Sequence, residues 1–376
     1  MDYKFTYFDN NATTPIDKRV LDEMMPFLKD SFGNASSTHY FGLEIKKSIS
    51  EAKRKIAQLI NADDKELVIT SGATESINLA LKGLALHPNN TKKHIVTVQT
   101  EHKAVLDTCK YLETIGFEVD YLPVNREGLL DLEQIKQTIR EDTLAVCVMW
   151  INNETGVIQP IREISRLAHK VEAYFMTDAT QAVGKMQIDV IENEIDLMCF
   201  SAHKMYGPKG IGALYVNSET VGNKNLLPLQ HGGGHENGLR SGTLNVPAII
   251  GFGKACEIAL IEMKSNAENI CKLRDALEVE LLKIEGAFVN GSKTQRLFNT
   301  LNISFPDFDA NMFIDKHKNI ALSNGSACTA ALVQPSHVLS AMGLSEDEAL
   351  GSLRISLGKM NNWEEIEQFI KMINLY

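Results

Sequence analysis

Five short segments hold residue types that can do chemistry: Ser71-Gly72-Ala73-Thr74, Thr100-Glu101-His102, Asn152-Asn153-Glu154, Asp178-Ala179-Thr180-Gln181 and Ser201-Ala202-His203-Lys204. Each follows a short apolar run. Singly, each has a plain structural reading: the serine and threonine as helix caps, His102 as a loop histidine, Asp178 as a cap, Lys204 as a solvated cation. Together they form a set. A Ser-Gly-Ala-Thr turn leading into a helix offers backbone N–H groups, hydroxyls and a positive dipole end to an anion, above all a phosphate. An imidazole can stack on a ring, a carboxylate can keep a pyridinium nitrogen protonated, and a lysine amine can bond an aldehyde. Those parts match pyridoxal 5'-phosphate chemistry, in which the protonated ring acts as an electron sink.

The elements that must position these residues are legible as hydrophobic patterns. Strand candidates are Leu67 to Thr70, Ile95 to Val98, Val119 to Val124, Leu144 to Ile151, Tyr174 to Asp178, Leu197 to Ser201 and Gly212 to Val216. Amphipathic stretches at Ser76 to Leu86, Ala104 to Ile115, Leu132 to Arg140 and Ile161 to Val171 read as crossover helices between them. The alternation predicts an α/β fold with a mostly parallel seven-stranded sheet and helices on both faces. Ligands in such sheets sit outside the carboxyl ends of the strands, where the five segments fall. A glycine-rich loop at Gln230 to Gly238 follows, then a helical stretch from about Pro247 to Ile284 and a smaller αβ region with strands at Phe288-Val289 and Leu301 to Phe305. The expected division is a large cofactor-binding domain over 13–255 and a small domain made of 1–12 and 256–376. The closing helix, Trp363 to Ile373, carries an apolar stripe for packing.

Composition narrows the functional classes. A chain of 376 residues and 41.8 kDa suggests about two domains, and 44% hydrophobic residues suffice for a sizeable core. Lys and Arg number 38 against 48 Asp and Glu, a net charge of -10 that disfavours nucleic acid and anionic membranes as partners. The longest central apolar run is far shorter than the roughly 20 residues that span a bilayer. Six cysteines stand singly, with no metal-binding spacing, as in a reducing compartment. With neither a basic nor an apolar leader in the first residues, the chain is expected to be cytoplasmic.

The sequence resembles the NifS/IscS family of cysteine desulfurases, within the fold-type-I, class V pyridoxal-phosphate enzymes. The motifs carrying the resemblance run nearly end to end, from Tyr7-Phe8-Asp9-Asn10-Asn11-Ala12-Thr13-Thr14-Pro15 through the five segments above. They continue through Met205-Tyr206-Gly207-Pro208-Lys209-Gly210, Arg240-Ser241-Gly242-Thr243, Gly325-Ser326-Ala327-Cys328-Thr329 and Leu353-Arg354-Ile355-Ser356-Leu357. The resemblance implies that Lys204 holds the cofactor and then moves protons, while His102 stacks on the ring and serves as acid or base. It implies that Asp178 pairs with the pyridinium nitrogen, that Gln181 reaches the phenolic oxygen, and that Ala73, Thr74, Ser201 and His203 hold the phosphate. Thr243 would reach the phosphate of a neighbouring subunit, which implies a homodimer. Asn153 and Arg354 would place the substrate, the guanidinium clamping its carboxylate at two points.

Cys328 matches the family's nucleophile and stands in a small-residue segment, about 322–334, that reads as a mobile loop. Cys147 and Cys199, inside apolar runs, read as packing. The implied reaction converts L-cysteine to L-alanine with a persulfide on Cys328, passed to a sulfur acceptor or an iron–sulfur scaffold protein. No intrinsic metal is expected, although Cys328 could transiently ligate a cluster on a scaffold. A selenocysteine lyase or a class V aminotransferase would use the same fold, and a non-catalytic persulfide carrier is a third reading. An aminotransferase has no use for a loop thiol, and a retired enzyme none for an intact Lys204, His102 and Asp178. After Cys328 the chain has less serine than many relatives, and it ends at Tyr376 without the longer tail of housekeeping members. The acceptor therefore stays open.

Overall fold

The computed structural model describes residues 5–222, 225–324 and 334–375. A short strand, β1 (Thr6–Tyr7), comes first, and the seven expected runs follow as β2 (Leu67–Thr70), β3 (His94–Val98), β4 (Glu118–Leu122), β5 (Thr143–Cys147), β6 (Tyr174–Asp178), β7 (Leu197–Ser201) and β8 (Gly212–Val216). Then come β9 (Phe288–Val289), β10 (Thr300–Ser304), β11 (Ile320–Ala321) and β12 (Ser352–Ser356).

The seven runs form one sheet in the order β2-β8-β7-β6-β5-β3-β4. Only β8 runs against the others. It follows β7 by the short connection 202–211, too short to carry a covering crossover helix, so the chain turns back beside the strand it left. The expected run Leu144 to Ile151 leaves the regular ladder after Cys147, because the Met149 amide turns away to the buried Glu101 carboxylate. Both faces are covered. Leu67, Ile69, Val146, Phe175 and Phe200 enter one core, whereas the alternating Val68, Ala145, Cys147, Met176 and Cys199 enter another. Helices Ala73–Ala85 and Lys103–Glu113 close the second core.

The first core needs two helices that the strand pattern did not announce, Lys18–Lys29 and Tyr40–Ile60. The signal was present: Ile45, Ile49, Ala52, Ile56 and Leu59 recur at helical spacing, and Asn61 ends the helix in the left-handed region (φ 56°).

The smaller region is a three-stranded antiparallel sheet, β12-β10-β9, with its own core of Phe8, Leu301, Phe313, Ile355 and Phe369 among others. β12 was known from the sequence only as the motif around Arg354. Two segments join the regions. Helix Val246–Leu281 buries Val246 to Ala259 in the first core and Ile270 to Leu281 in the third. The strap at 6–14 pairs β1 with β11, bonds Asn10 to Ser356, and reaches His203 through Thr14. Among the described residues no helix is long and apolar enough to cross a membrane.

Candidate active site

The carboxyl ends of β2, β3, β5, β6 and β7 open into one cavity of about 580 Å³, within the usual range for small-molecule sites. Ala73, Thr74, His102, Asn153, Asp178, Gln181, Ser201, His203, Lys204 and Arg354 all line it. Residues up to 131 positions apart, Ala73 to Lys204, share one wall because parallel strands deliver their carboxyl ends to one edge, and the small region adds Arg354 from β12.

The turn after β2 builds an anion cup. Gly72 sits at φ 153°, ψ 179°, a region open essentially to glycine alone, and starts the helix Ala73–Ala85 without a side-chain cap. Ser201 Oγ accepts from the Ala73 amide at 2.8 Å, which ties the turn to the end of β7. Glu75 accepts from the Ser71 amide and pairs with Arg240 at 2.8 Å, so the motif Arg240 to Thr243 braces the cup from behind. His203 hydrogen-bonds Thr13 Oγ1 through Nδ1 at 3.0 Å. Burial, with Lys204, Lys209 and Lys185 nearby, pushes the His203 imidazole down to about 4, leaving it neutral at pH 7.

His102 caps helix Lys103–Glu113, its Nδ1 accepting from the Ala104 amide at 3.1 Å. A neutral His102 therefore carries its proton on Nε2. Behind it, Glu101 is fully buried, and burial together with the Asp178 charge raises its carboxyl well above the usual range. Asp178 ends β6 and is 5% exposed, with Oδ1 accepting from the Thr180 amide at 2.9 Å. Thr180 Oγ1, on a residue of the cavity wall, is buried without a partner among the described residues. Lys204 Nζ donates to the carbonyls of Asn11 and Ala12, each at 2.6 Å.

The small region closes the cavity with Arg354, which is 1% exposed. Its Nη2 pairs with Asp9 at 2.7 Å, Nη1 donates to the Asn153 carbonyl at 3.3 Å, and Nε has no partner among the described residues. The expected two-point fork is thus shared with Asp9. Beside it, burial pushes the Glu154 carboxyl up to about 7 against the opposing pull of Ser336 and Arg354.

One expected residue, Thr243, is not in this wall. Cys328 lies outside the described residues. The described chain on either side of that stretch is bound to the site, through Ser323 paired with Arg354, Ser336 with Glu154, and His337 with the Glu101 carbonyl. Thr243 lines a second cavity of about 420 Å³ with Phe32, Ser36 and His235. Sequence reasoning gave no role to Asp9, Asn11, Glu101 or Lys185. Asp9, Asn11 and Glu101 stood inside recognised motifs, and Lys185 four residues past Gln181 was the available signal for the fourth.

The donor set fits pyridoxal phosphate. A capless helix start with Thr74, Ser201 and neutral His203 suits the phosphate, and Asp178 suits a ring nitrogen. Lys204 suits the aldehyde, and the cations Lys204, Lys209 and Arg354 favour an anionic ligand pair.

The chain is similar to proteins of one family. Residues 6–369 match the family "Aminotransferase class-V". The cysteine desulfurase IscS of Neisseria meningitidis serogroup C (strain 053442) is 48% identical over 368 residues, 98% of this chain and 91% of that protein. A solved NifS-like protein superposes with a TM-score of 0.92 at 40% identity, covering 99% of this chain and 98% of its own. SspA, solved in complex with cysteine, superposes with a TM-score of 0.83 at 41% identity over 94% of this chain and 99% of its own.

Proposed function

We propose that this chain, which belongs to the class-V aminotransferase family and within it to the cysteine desulfurases, takes sulfur from L-cysteine and leaves L-alanine. The observation that carries this is the meeting of Lys204, Asp178, His102, the phosphate cup and Arg354 in one cavity. Pyridoxal phosphate, held by Lys204, Asp178, Gln181, Ala73, Thr74, Ser201 and His203, supplies the electron sink that weakens the substrate's C–S bond.

The chain's own residues do the rest. Arg354 and Asn153 hold the substrate carboxylate, and Lys204 takes the α-proton and returns one to the product carbon. His102, with its proton on Nε2, is placed to donate to the substrate side chain. The Cys328 thiolate attacks the substrate sulfur as the C–S electron pair leaves with carbon. L-cysteine and the Cys328 thiol thereby become L-alanine and a Cys328 persulfide, with atoms and electrons balanced.

The persulfide then passes to an acceptor protein, with iron–sulfur cluster assembly the proposed use. A homodimer is part of the proposal, since Thr243 faces a cavity outside its own site, beside the exposed Phe32, whose ring packs on the exposed Phe41. The five cysteines among the described residues are all free, which supports a reducing compartment such as the cytoplasm.

Purified protein loaded with pyridoxal phosphate is expected to be yellow and to yield equal amounts of alanine and sulfide from L-cysteine in the presence of a thiol reductant. Lys204→Ala loses the yellow band's covalent signature and the activity, whereas Cys328→Ala stays yellow and stops releasing sulfide. Sulfide release by Cys328→Ala at the wild-type rate would overturn the persulfide route. Selenocysteine turnover that survives Cys328→Ala while cysteine turnover does not would instead mark a lyase.

A further inference from the structure

Two neighbours fix the side-chain amide of Gln181. Lys185 Nζ donates to Gln181 Oε1 at 2.6 Å, and Gln181 Nε2 donates to the Asn11 carbonyl at 2.9 Å. An ammonium has only donors and a backbone carbonyl only an acceptor, so an amide set between them has one orientation. Its nitrogen carries two N–H groups, of which the Asn11 bond uses one. Gln181 lines the cavity and Lys185 does not. What Gln181 has left for a ligand is therefore a donor.

The frame around the pair is rigid. Asn11 is held by Thr300 Oγ1 at 2.9 Å, by Asn299 Nδ2 at 3.1 Å and by Ser356 Oγ at its amide at 2.9 Å, so its carbonyl cannot follow a rotating amide. Lys185 Nζ also stands 3.5 Å from Asn11 Oδ1. Burial, with Lys204 and Arg354 nearby, pushes the Lys185 amine down to about 7. A neutral amine can accept as well as donate, and in that form the acceptor-only Asn11 carbonyl keeps the Gln181 nitrogen turned to it and the oxygen toward Lys185.

We infer, resting on the cofactor site proposed above, that Lys185 is a positioning residue that locks the Gln181 amide with an N–H directed at the cofactor. A donor at the ring oxygen stabilises its ionised form, whereas a flipped amide would present an oxygen and repel it. Without Lys185 the amide loses the partner that holds its oxygen away from the cavity.

The test compares wild type with Gln181→Met, Lys185→Met and the double variant, each titrated with pyridoxal phosphate and scanned for the visible band at one pH. Gln181→Met is expected to shift the band and weaken cofactor binding about tenfold, the worth of one hydrogen bond. Lys185→Met should shift the band in the same direction, Lys185→Arg should restore it, and the double variant should be no worse than Gln181→Met. Lys185→Gln, with the same expected shift, replaces the methionine variant if that one does not fold. A band unmoved by Lys185→Met but moved by Gln181→Met, or fully additive effects in the double variant, would overturn the inference. A band and affinity unmoved by Gln181→Met would instead overturn the placement of the cofactor beneath it, a separate failure.

Discussion

Arg354 shows how much one residue depends on its surroundings. Its guanidinium is buried, anchored by Asp9 on one nitrogen and by the Asn153 carbonyl on another, and keeps Nε without a partner among the described residues. Lysine would keep the charge and lose the planar fork. Arg354→Lys is therefore expected to raise KM for L-cysteine about tenfold or more with a smaller change in kcat, measured by steady-state kinetics. His102 is the complementary case. His102→Gln should lower kcat by about 10²–10⁴, the range for losing an acid–base group, while the visible band of the bound cofactor remains.

At the scale of elements, the turn between β2 and helix Ala73–Ala85 depends on close backbone packing. A Cβ at Gly212 would lie 2.6 Å from the Phe200 carbonyl oxygen and 2.7 Å from Gly72 Cα, so β8 can pass beside the β2 turn only without a side chain. Gly212→Ala must displace Gly72, and with it the Ala73 amide. Weaker cofactor binding, by about tenfold or more, is expected in equilibrium titration together with a lower Tm. Asp17 caps helix Lys18–Lys29 and also pairs with Arg19 and Lys359. The Arg19 guanidinium, with Lys359, holds its carboxyl well below the usual range. A depressed carboxylate adds stability above its unfolded value, and that contribution is lost as pH falls through the folded one. Asp17→Asn should thus cost about 1 kcal/mol or more at pH 7, with the gap to wild type narrowing as pH drops below about 4, measured by chemical denaturation.

The whole molecule is held as one unit by the long helix and the strap. Because Val246–Leu281 belongs to two cores, neither core is expected to unfold alone. Leu277, fully buried in the smaller core, should cost about 2–5 kcal/mol when truncated to alanine. Urea unfolding followed by far-UV circular dichroism and by the cofactor band should then move together to a lower midpoint. Two separated transitions would show the cores to be independent. We also propose the division into a large domain over 13–255 and a small one of 1–12 and 256–376. The change of core along the helix between Ala259 and Ile270 and the docking of Phe8 in the third core support it.

Much of this was legible in residue order alone. Apolar runs mark the strands, continuous where a strand is buried on both faces and so has no polar side to show, and broken by Glu118 and Asp120 in the edge strand β4. Short motifs at the strand ends singled out Lys204, Asp178, His102 and the turn after β2, all of which the structure brings to one cavity. The helices Lys18–Lys29 and Tyr40–Ile60 were legible too, in the spacing from Ile45 to Leu59, but lay outside the strand rhythm that guided the reading. Partners across the chain were not legible. That Asp9 would hold Arg354, that Asn11 would meet Gln181, Lys204, Asn299 and Thr300 at one point, and that Lys185 would face an amide rather than solvent depend on strap, sheet and small region closing together. Local pattern fixes which groups are present and which elements carry them. Only the tertiary structure decides which groups are within hydrogen-bond reach, because desolvation and contact are properties of the closed fold.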